Sequence, residues 1–384
     1  VRVLIAPDSF TDSMTAAEAA AAIAAGWRRT APEDDLALQP VSDGGPGFLA
    51  AIARGLPQAV RVVVDGSGPW GGPARAEVLV AHGPRGRTAY VEAAQTCGGA
   101  VGGSPRTASS GGLAQVLEAA LAQRPQRIVV GLGGTLVTDG GAGLLAGLGA
   151  RATAADGADG TERLSGGGAG LADLVAVDVA PARDRFAGID LVAATDVDVP
   201  LLGPRGAAVG FSPQKGADAA AAAELEEALR RFAHACGRTA DGRSPAVALG
   251  AGAAGGVGFA LLHLGARRAS GIALVLEAVG FDRLVGESDL VITGEGSFDW
   301  QSLSGKVVPG VCAAAAQQGR PVLVLAGRID VGRREWMAVG VHGVYGIVDP
   351  TDPLAPAIDP LVAVAQGPDL LAAVAQRAAR TWSR

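Results

Sequence analysis

SDLVITGEGSFDWQSLSGK, residues Ser288 to Lys306, is the stretch from which the fold can be read. Leu290 to Thr293 is a short β-branched run, which predicts a buried parallel strand. Gly294-Glu295-Gly296-Ser297 should end it, because two glycines free the backbone. Asp299 and Ser304-Gly305-Lys306 follow, and Val307 to Ala316 reads as an apolar helix. A strand, an acid-bearing glycine turn and a helix in succession mark the ligand-binding edge of an open α/β sheet. Exposed N–H groups there suit phosphate, carboxylates suit Mg²⁺, and lysine suits a phosphate charge. The stretch is not the standard phosphate loop, since Trp300 and Val307 stand where that pattern requires Gly and Ser or Thr.

The rest of the chain repeats the theme. Its 384 residues suffice for two domains with full cores. Aromatics are only 4% of the chain, so small and branched side chains must fill those cores. A net charge of −6 and few lysines argue against nucleic acid as a partner. Cys97, Cys236 and Cys312 are scattered and odd in number, which predicts a reducing cytoplasm rather than a disulfide framework. Val1 to Ile5 reads as a strand rather than a signal peptide, and no apolar run reaches the ~20 residues of a membrane helix.

In order, Val1 to Ala6 is a strand ending at Pro7-Asp8-Ser9. Thr15 and Glu18 form a capping box for a helix to about Arg29. Leu36 to Val41, a short helix from Phe48 to Ala53, and Val60 to Val64 complete a β-α-β-α-β opening. Asp65 to Pro73 reads as a crossing into a second region. There Ala76 to Val80 and Thr88 to Ala93 make a hairpin, Arg127 to Val130 and Leu191 to Ala194 are strands, and Ala152 to Gly170 is a long surface loop. Pro321 to Ala326 and Val341 to Ile347 resemble the first strands more than the middle ones. The expected fold is therefore α/β, with a doubly wound parallel-sheet domain built from both chain ends, residues 1–72 and 287–384. A second α/β domain, residues 73–286, is inserted into it.

Acids sit at five strand ends or glycine turns: Asp8, Asp43, Asp139, Asp196 with Asp198, and Glu295 with Asp299. Many N–H donors, several carboxylates and few cations suit phosphoryl transfer, with Mg²⁺ and backbone donors holding a nucleotide. Lys215 and Lys306 each adjoin a glycine in a chain poor in lysine, and are candidates for phosphate. Asp196 is the candidate general base, because it ends an apolar strand. Gly250-Ala251-Gly252-Ala253-Ala254-Gly255 points elsewhere: it matches G-x-G-x-x-G, and Glu277 after the strand-like Leu274 to Leu276 stands where a ribose-binding acid belongs. That alternative is an NAD-dependent oxidoreductase. Close packing of small residues explains the same glycines.

SDGGPG at 42–47, GLGGTLVTDGGAG at 131–143, ATDVDVPLLG at 194–203, FSPQKGA at 211–217, GAGAAGGVG at 250–258 and TGEGSFDWQSLSGK at 293–306 fall in order along the chain. With APDSF at 6–10, this succession resembles the signatures of the bacterial class I glycerate kinase family. The resemblance implies ATP- and Mg²⁺-dependent phosphorylation of D-glycerate, generally to 2-phosphoglycerate. It also implies a flavodoxin-like domain with an inserted α/β domain, a cleft between them, and no nicotinamide role for the 250–255 glycines.

With it, the expected catalytic set is Asp196, Asp43 and Lys306. Substrate or nucleotide would meet Asp8, Ser9, Gly44, Gly45, Gly133, Gly134, Asp139, Gln214, Lys215, Gly294, Glu295 and Gly296, and metal would meet Asp198 and Asp299. Asp43, Asp139 and Glu295 are also candidates for Mg²⁺. The chain departs from the family pattern at Thr11-Asp12, Pro46, Thr138, Val199 and Ser297. Loss of a lysine at position 11 removes a charged hydrogen bond of roughly 1.5–3 kcal/mol, enough to alter substrate choice. A weakened paralogue that binds ligand without turnover is the non-enzyme alternative, and a homo-oligomer is compatible with the sequence.

Overall fold

The computed structural model describes residues 1–10, 13–83, 86–303, 306–348 and 365–383. Thr11, Asp12, Ser304 and Gly305 lie outside them. In chain order the strands are β1 Arg2–Ile5, β2 Asp35–Leu38, β3 Val60–Ser67, β4 Pro73–Gly83 and β5 Gly86–Glu92. Then come β6 Arg127–Gly131, β7 Arg151–Ala154, β8 Leu174–Asp178, β9 Asp190–Ala194 and β10 Arg267–Ala269. The last are β11 Leu290–Phe298, β12 Val322–Ile329 and β13 Gly343–Val348. They divide between two compact units: residues 1–43, 50–57 and 271–384, and residues 44–49 and 58–270. The expected boundaries at 72/73 and 286/287 thus fall earlier in the chain in this division.

The first unit carries a parallel sheet in the order β13-β12-β11-β1-β2. Counted along its own chain this is the flavodoxin-like order, in which the winding reverses between β1 and β11. Val3 lies opposite Leu290 and Ile5 opposite Ile292, so strands almost three hundred residues apart are central neighbours. Val3, Ile5, Leu290 and Ile292 pack with Ile23, Trp27, Leu371 and Val374. Leu4 and Val291 point the other way and are equally buried, as strands covered on both faces must be. The helix Ala16–Arg28 starts as expected: the Thr15 hydroxyl accepts from the Glu18 N–H, and the Glu18 carboxylate accepts from the Thr15 N–H.

The second unit holds a six-stranded sheet, β10-β9-β6-β5-β4-β3, and the small antiparallel pair β7-β8. Here three expectations change. Val60 to Val64 belongs to this sheet as its edge strand, antiparallel to β4, with Val60 and Val63 exposed. A valine run reads like a buried strand, but only its alternate residues face the core. Asp65 to Ser67 continue β3 and Pro73 opens β4, so this stretch is a hairpin with its bend at residues 68–72, not a crossing. Ala152 to Gly170 is not one loop: β7 bridges Asp159 and short 3₁₀ turns follow at Thr161–Ser165 and Gly168–Leu171.

The opening stretch also differs from its reading. β11 runs through Gly294 and Gly296 to Phe298 rather than stopping at Gly294. A side chain on Gly294 would meet the Leu325 carbonyl at 2.0 Å, so this glycine permits tight strand pairing. The dinucleotide pattern loses its context entirely. A 3₁₀ turn, Pro245–Val247, stands before Gly250 in place of a strand, and Leu274 to Leu276 lies inside the helix Gly271–Val279. Gly252 and Gly255 instead let backbones approach: a Cβ there would meet the Pro200 carbonyl at 2.2 Å and the Val137 carbonyl at 1.9 Å.

Candidate active site

In the first unit the switch point between β1 and β11 collects carboxylates. Asp8 follows β1, and its N–H donates to the Gly294 carbonyl at 2.8 Å, pinning the turn to β11. Its side chain accepts from the Ser9 N–H at 2.6 Å. Burial, then the neighbouring Asp43, push the Asp8 carboxyl well above its ordinary range, against the Ser9 bond. Glu295, inside β11, is pushed up to about 7. Burial is the main cause; the Ser302 hydroxyl bond and Lys306 pull it down, while Asp299 and Asp43 raise it. Glu295 Oε2 lies 2.9 Å from the Ser302 hydroxyl, and Oε1 is buried without a hydrogen bond. Three expected residues, Asp8, Asp43 and Glu295, therefore interact electrostatically at the sheet edge where ligands bind, with Asp299 and Lys306 in range of Glu295.

Asp299 has a structural task as well. Its Oδ1 accepts from Gln301 N at 2.8 Å and Ser302 N at 3.3 Å, capping the 3₁₀ turn Trp300–Leu303. Ser302 was not anticipated; an Asp three residues before a Ser is the capping signal that marks it.

The second unit contains a different cluster. Asp139 is fully buried and accepts from the Ser110 N–H and hydroxyl at 2.8 Å, Gly141 N at 3.0 Å and Gly143 N at 3.2 Å. Burial raises its pKa and these donors oppose the rise. Through these bonds Asp139 organises the start of the helix Ala142–Gly147. Lys215 is likewise buried; its Nζ donates to the Val137 carbonyl at 2.7 Å. Burial lowers its pKa to about 8, with Asp139 and Cys97 opposing. The neighbouring Gln214 is exposed. Lys215, an expected phosphate contact, holds the segment leading to Asp139 through this bond.

The paired glycines of this unit lie in close backbone contact. A Cβ on Gly133 would lie 2.5 Å from Gly45 Cα, and one on Gly44 2.9 Å from the Ala194 carbonyl. Asp196 lies part-buried just beyond β9. Asp198 is exposed and paired with Arg268 Nη2 at 2.5 Å, a cation that sequence reasoning missed. Among the described residues no three His, Cys, Asp or Glu side chains stand close enough to cage a metal ion. Asp198 and Asp299, the expected metal ligands, are already engaged by a guanidinium and by a turn.

A family model described as the glycerate kinase family matches residues 3–383. The chain belongs to that family. It is 39% identical over 390 residues to a glycerate kinase of Halalkalibacterium halodurans, covering 100% of this chain and 99% of that one. Identity to the glycerate 2-kinase of Escherichia coli is 35%, over 90% of each chain. A crystal structure from Salmonella typhimurium LT2, provisionally assigned as glycerate kinase 2, superposes with a TM-score of 0.76 at 32% identity. That match covers 100% of this chain and 98% of the other. As a glycerate kinase family member the chain is a kinase, and the oxidoreductase alternative is not favoured.

Proposed function

We propose that this kinase transfers the γ-phosphoryl group of ATP to a hydroxyl of a short hydroxy acid, foremost D-glycerate, giving 2-phosphoglycerate. The observation that carries the reading is the meeting of Asp8, Asp43 and Glu295 at the β1/β11 switch point. Two of these carboxylates suit Mg²⁺, which is typically held by one or two carboxylates together with substrate phosphates and water. Asp8 and Asp43 would hold the ion, and its charge would offset the burial and, after it, the Asp43 repulsion that raise the Asp8 pKa. When bound, Mg²⁺ supplies neutralisation of phosphate charge.

The chain's own residues do the rest. Lys306, close enough to affect Glu295, would balance charge on the transferred group. Asp196, carried on the rigid end of β9, is the proposed base. It takes the hydroxyl proton as the substrate oxygen bonds to phosphorus and the bond to the bridging oxygen breaks, releasing ADP. Buried, unpaired Cys97, Cys236 and Cys312 fit a reducing cytoplasm.

The test is ADP release by the purified protein with Mg-ATP and a panel of short hydroxy acids. D-glycerate should give the highest kcat/KM, and the product should feed enolase without a mutase. Turnover only with another hydroxy acid would change the substrate, and ATP binding without any turnover would make the chain a weakened paralogue.

A further inference from the structure

Trp300 is 74% exposed, the one aromatic among the large exposed apolar side chains of the described residues. Trp27, Trp70 and Trp382, by contrast, each donate their indole N–H to an oxygen within the fold. Trp300 opens the 3₁₀ turn that follows β11, directly beyond the switch-point carboxylates.

That turn is a rigid support. Phe298 before it is fully buried, and Ser302 within it is almost so. Asp299 Oδ1 caps it, and the Ser302 hydroxyl lies 2.9 Å from Glu295 Oε2 and 3.1 Å from the Ser297 carbonyl. An indole presented to water on a pinned turn loses little conformational freedom when a flat ligand lands on it.

The surroundings narrow the ligand. Arg328, exposed on β12 and paired with Asp330 at 2.8 Å, lies opposite Ser297 in the strand ladder. Lys306 follows the turn at the start of the helix Val307–Gln317. An aromatic face with two cations at one sheet end fits a ligand that is flat at one end and polyanionic at the other. A short hydroxy acid has no flat aromatic part, whereas a nucleoside triphosphate has both.

We infer that Trp300 is the platform on which the nucleobase of the phosphoryl donor stacks, with the phosphates directed toward Lys306 and the carboxylate edge. This rests on the proposed use of ATP, and it adds where in the first unit the base is read. Stacking on an aromatic side chain tolerates any base, so a preference for ATP over GTP would need further contacts.

The experiment compares wild type, Trp300→Ala and Trp300→Phe by calorimetric titration with Mg-ATP and with Mg-tripolyphosphate. Trp300→Ala should weaken ATP binding by about 5- to 150-fold, the loss of one base–aromatic stack. Trp300→Phe should recover most of it. Tripolyphosphate, which has no base, should bind all three proteins alike, and ATP should quench indole emission only where Trp300 is present. Equal ATP affinity in wild type and Trp300→Ala would overturn the inference while leaving the kinase reading intact. So would parallel loss of both ligands, or a variant that alters sedimentation and not ATP binding, which would make Trp300 a contact between copies. A wild-type protein that turns over glycerate without binding ATP would sink both.

Discussion

Two carboxylates at comparable places in the chain differ in burial. Asp196 stands part-buried past a rigid strand, whereas Asp139 spends its oxygens on four internal donors. If Asp196 is the base, Asp196→Asn should lower kcat by ~10²–10⁴-fold, with ATP affinity little changed. A near-normal kcat with lost nucleotide affinity would move the base to Asp8 or Asp43. Glu295 gives a pH signature. Its folded pKa of about 7 lies above the ordinary glutamate value of 4.5, so the native state favours the protonated form. Stability should be fullest below pH ~4.5 and decline as pH rises through 7, by at most roughly 3 kcal/mol. Urea unfolding of the ligand-free protein at pH 5 and pH 8 should show this loss, and Glu295→Gln should remove most of it. Identical pH dependence in the two proteins would mean that Glu295 is ordinary.

Elements were legible where one local signal sufficed. The Thr15 and Glu18 pattern marks the helix Ala16–Arg28, and Leu290 to Thr293 marks the core of β11. Legibility failed where a residue's partner decides its meaning. Gly294 reads as a turn until the Leu325 carbonyl beside it is known, and Val60 to Val64 reads as a strand of the opening β-α-β-α-β until its hairpin to β4 is known. The same holds for the site: Asp8 and Asp43 were legible as acids beyond strand ends and Glu295 as the acid between two glycines, while Lys215 gave no sign that its ammonium group would be buried against Val137. Gly26 shows how tight such an unseen contact is. A Cβ there would lie 1.9 Å from the carbonyl of Ala372, on the helix Gly367–Trp382. Gly26→Ala should therefore force the two helices apart and destabilise by about 1–3 kcal/mol, although alanine is the better helix former. An unchanged melting temperature would show that the helices can slide at no cost.

At the scale of the whole molecule, two units with separate apolar cores should not melt as one. Calorimetry should resolve two transitions, with Gly26→Ala lowering one and Asp139→Asn, which deprives buried donors of an acceptor, lowering the other. Both variants shifting a single common transition would show one cooperative block. The family motifs made the two-ended plan readable, since they occur in order from residue 6 to residue 306. The division points were not readable, because residues 44–49 side with the second unit through packing such as that of Gly45 on Gly133.

The central seat of β1 beside β11 has a consequence for how the chain is made. Val3 to Ile5 leave the ribosome long before their partners Leu290 to Ile292, which follow almost three hundred residues later. At ~5–20 residues per second the first strand waits roughly 15–60 s for its neighbour. Through that interval its apolar edge is open to chaperones and to other nascent chains. The contiguous span 58–270 can meanwhile close its own core, so a translational pause near residue 290 would prolong the exposure of the first unit alone.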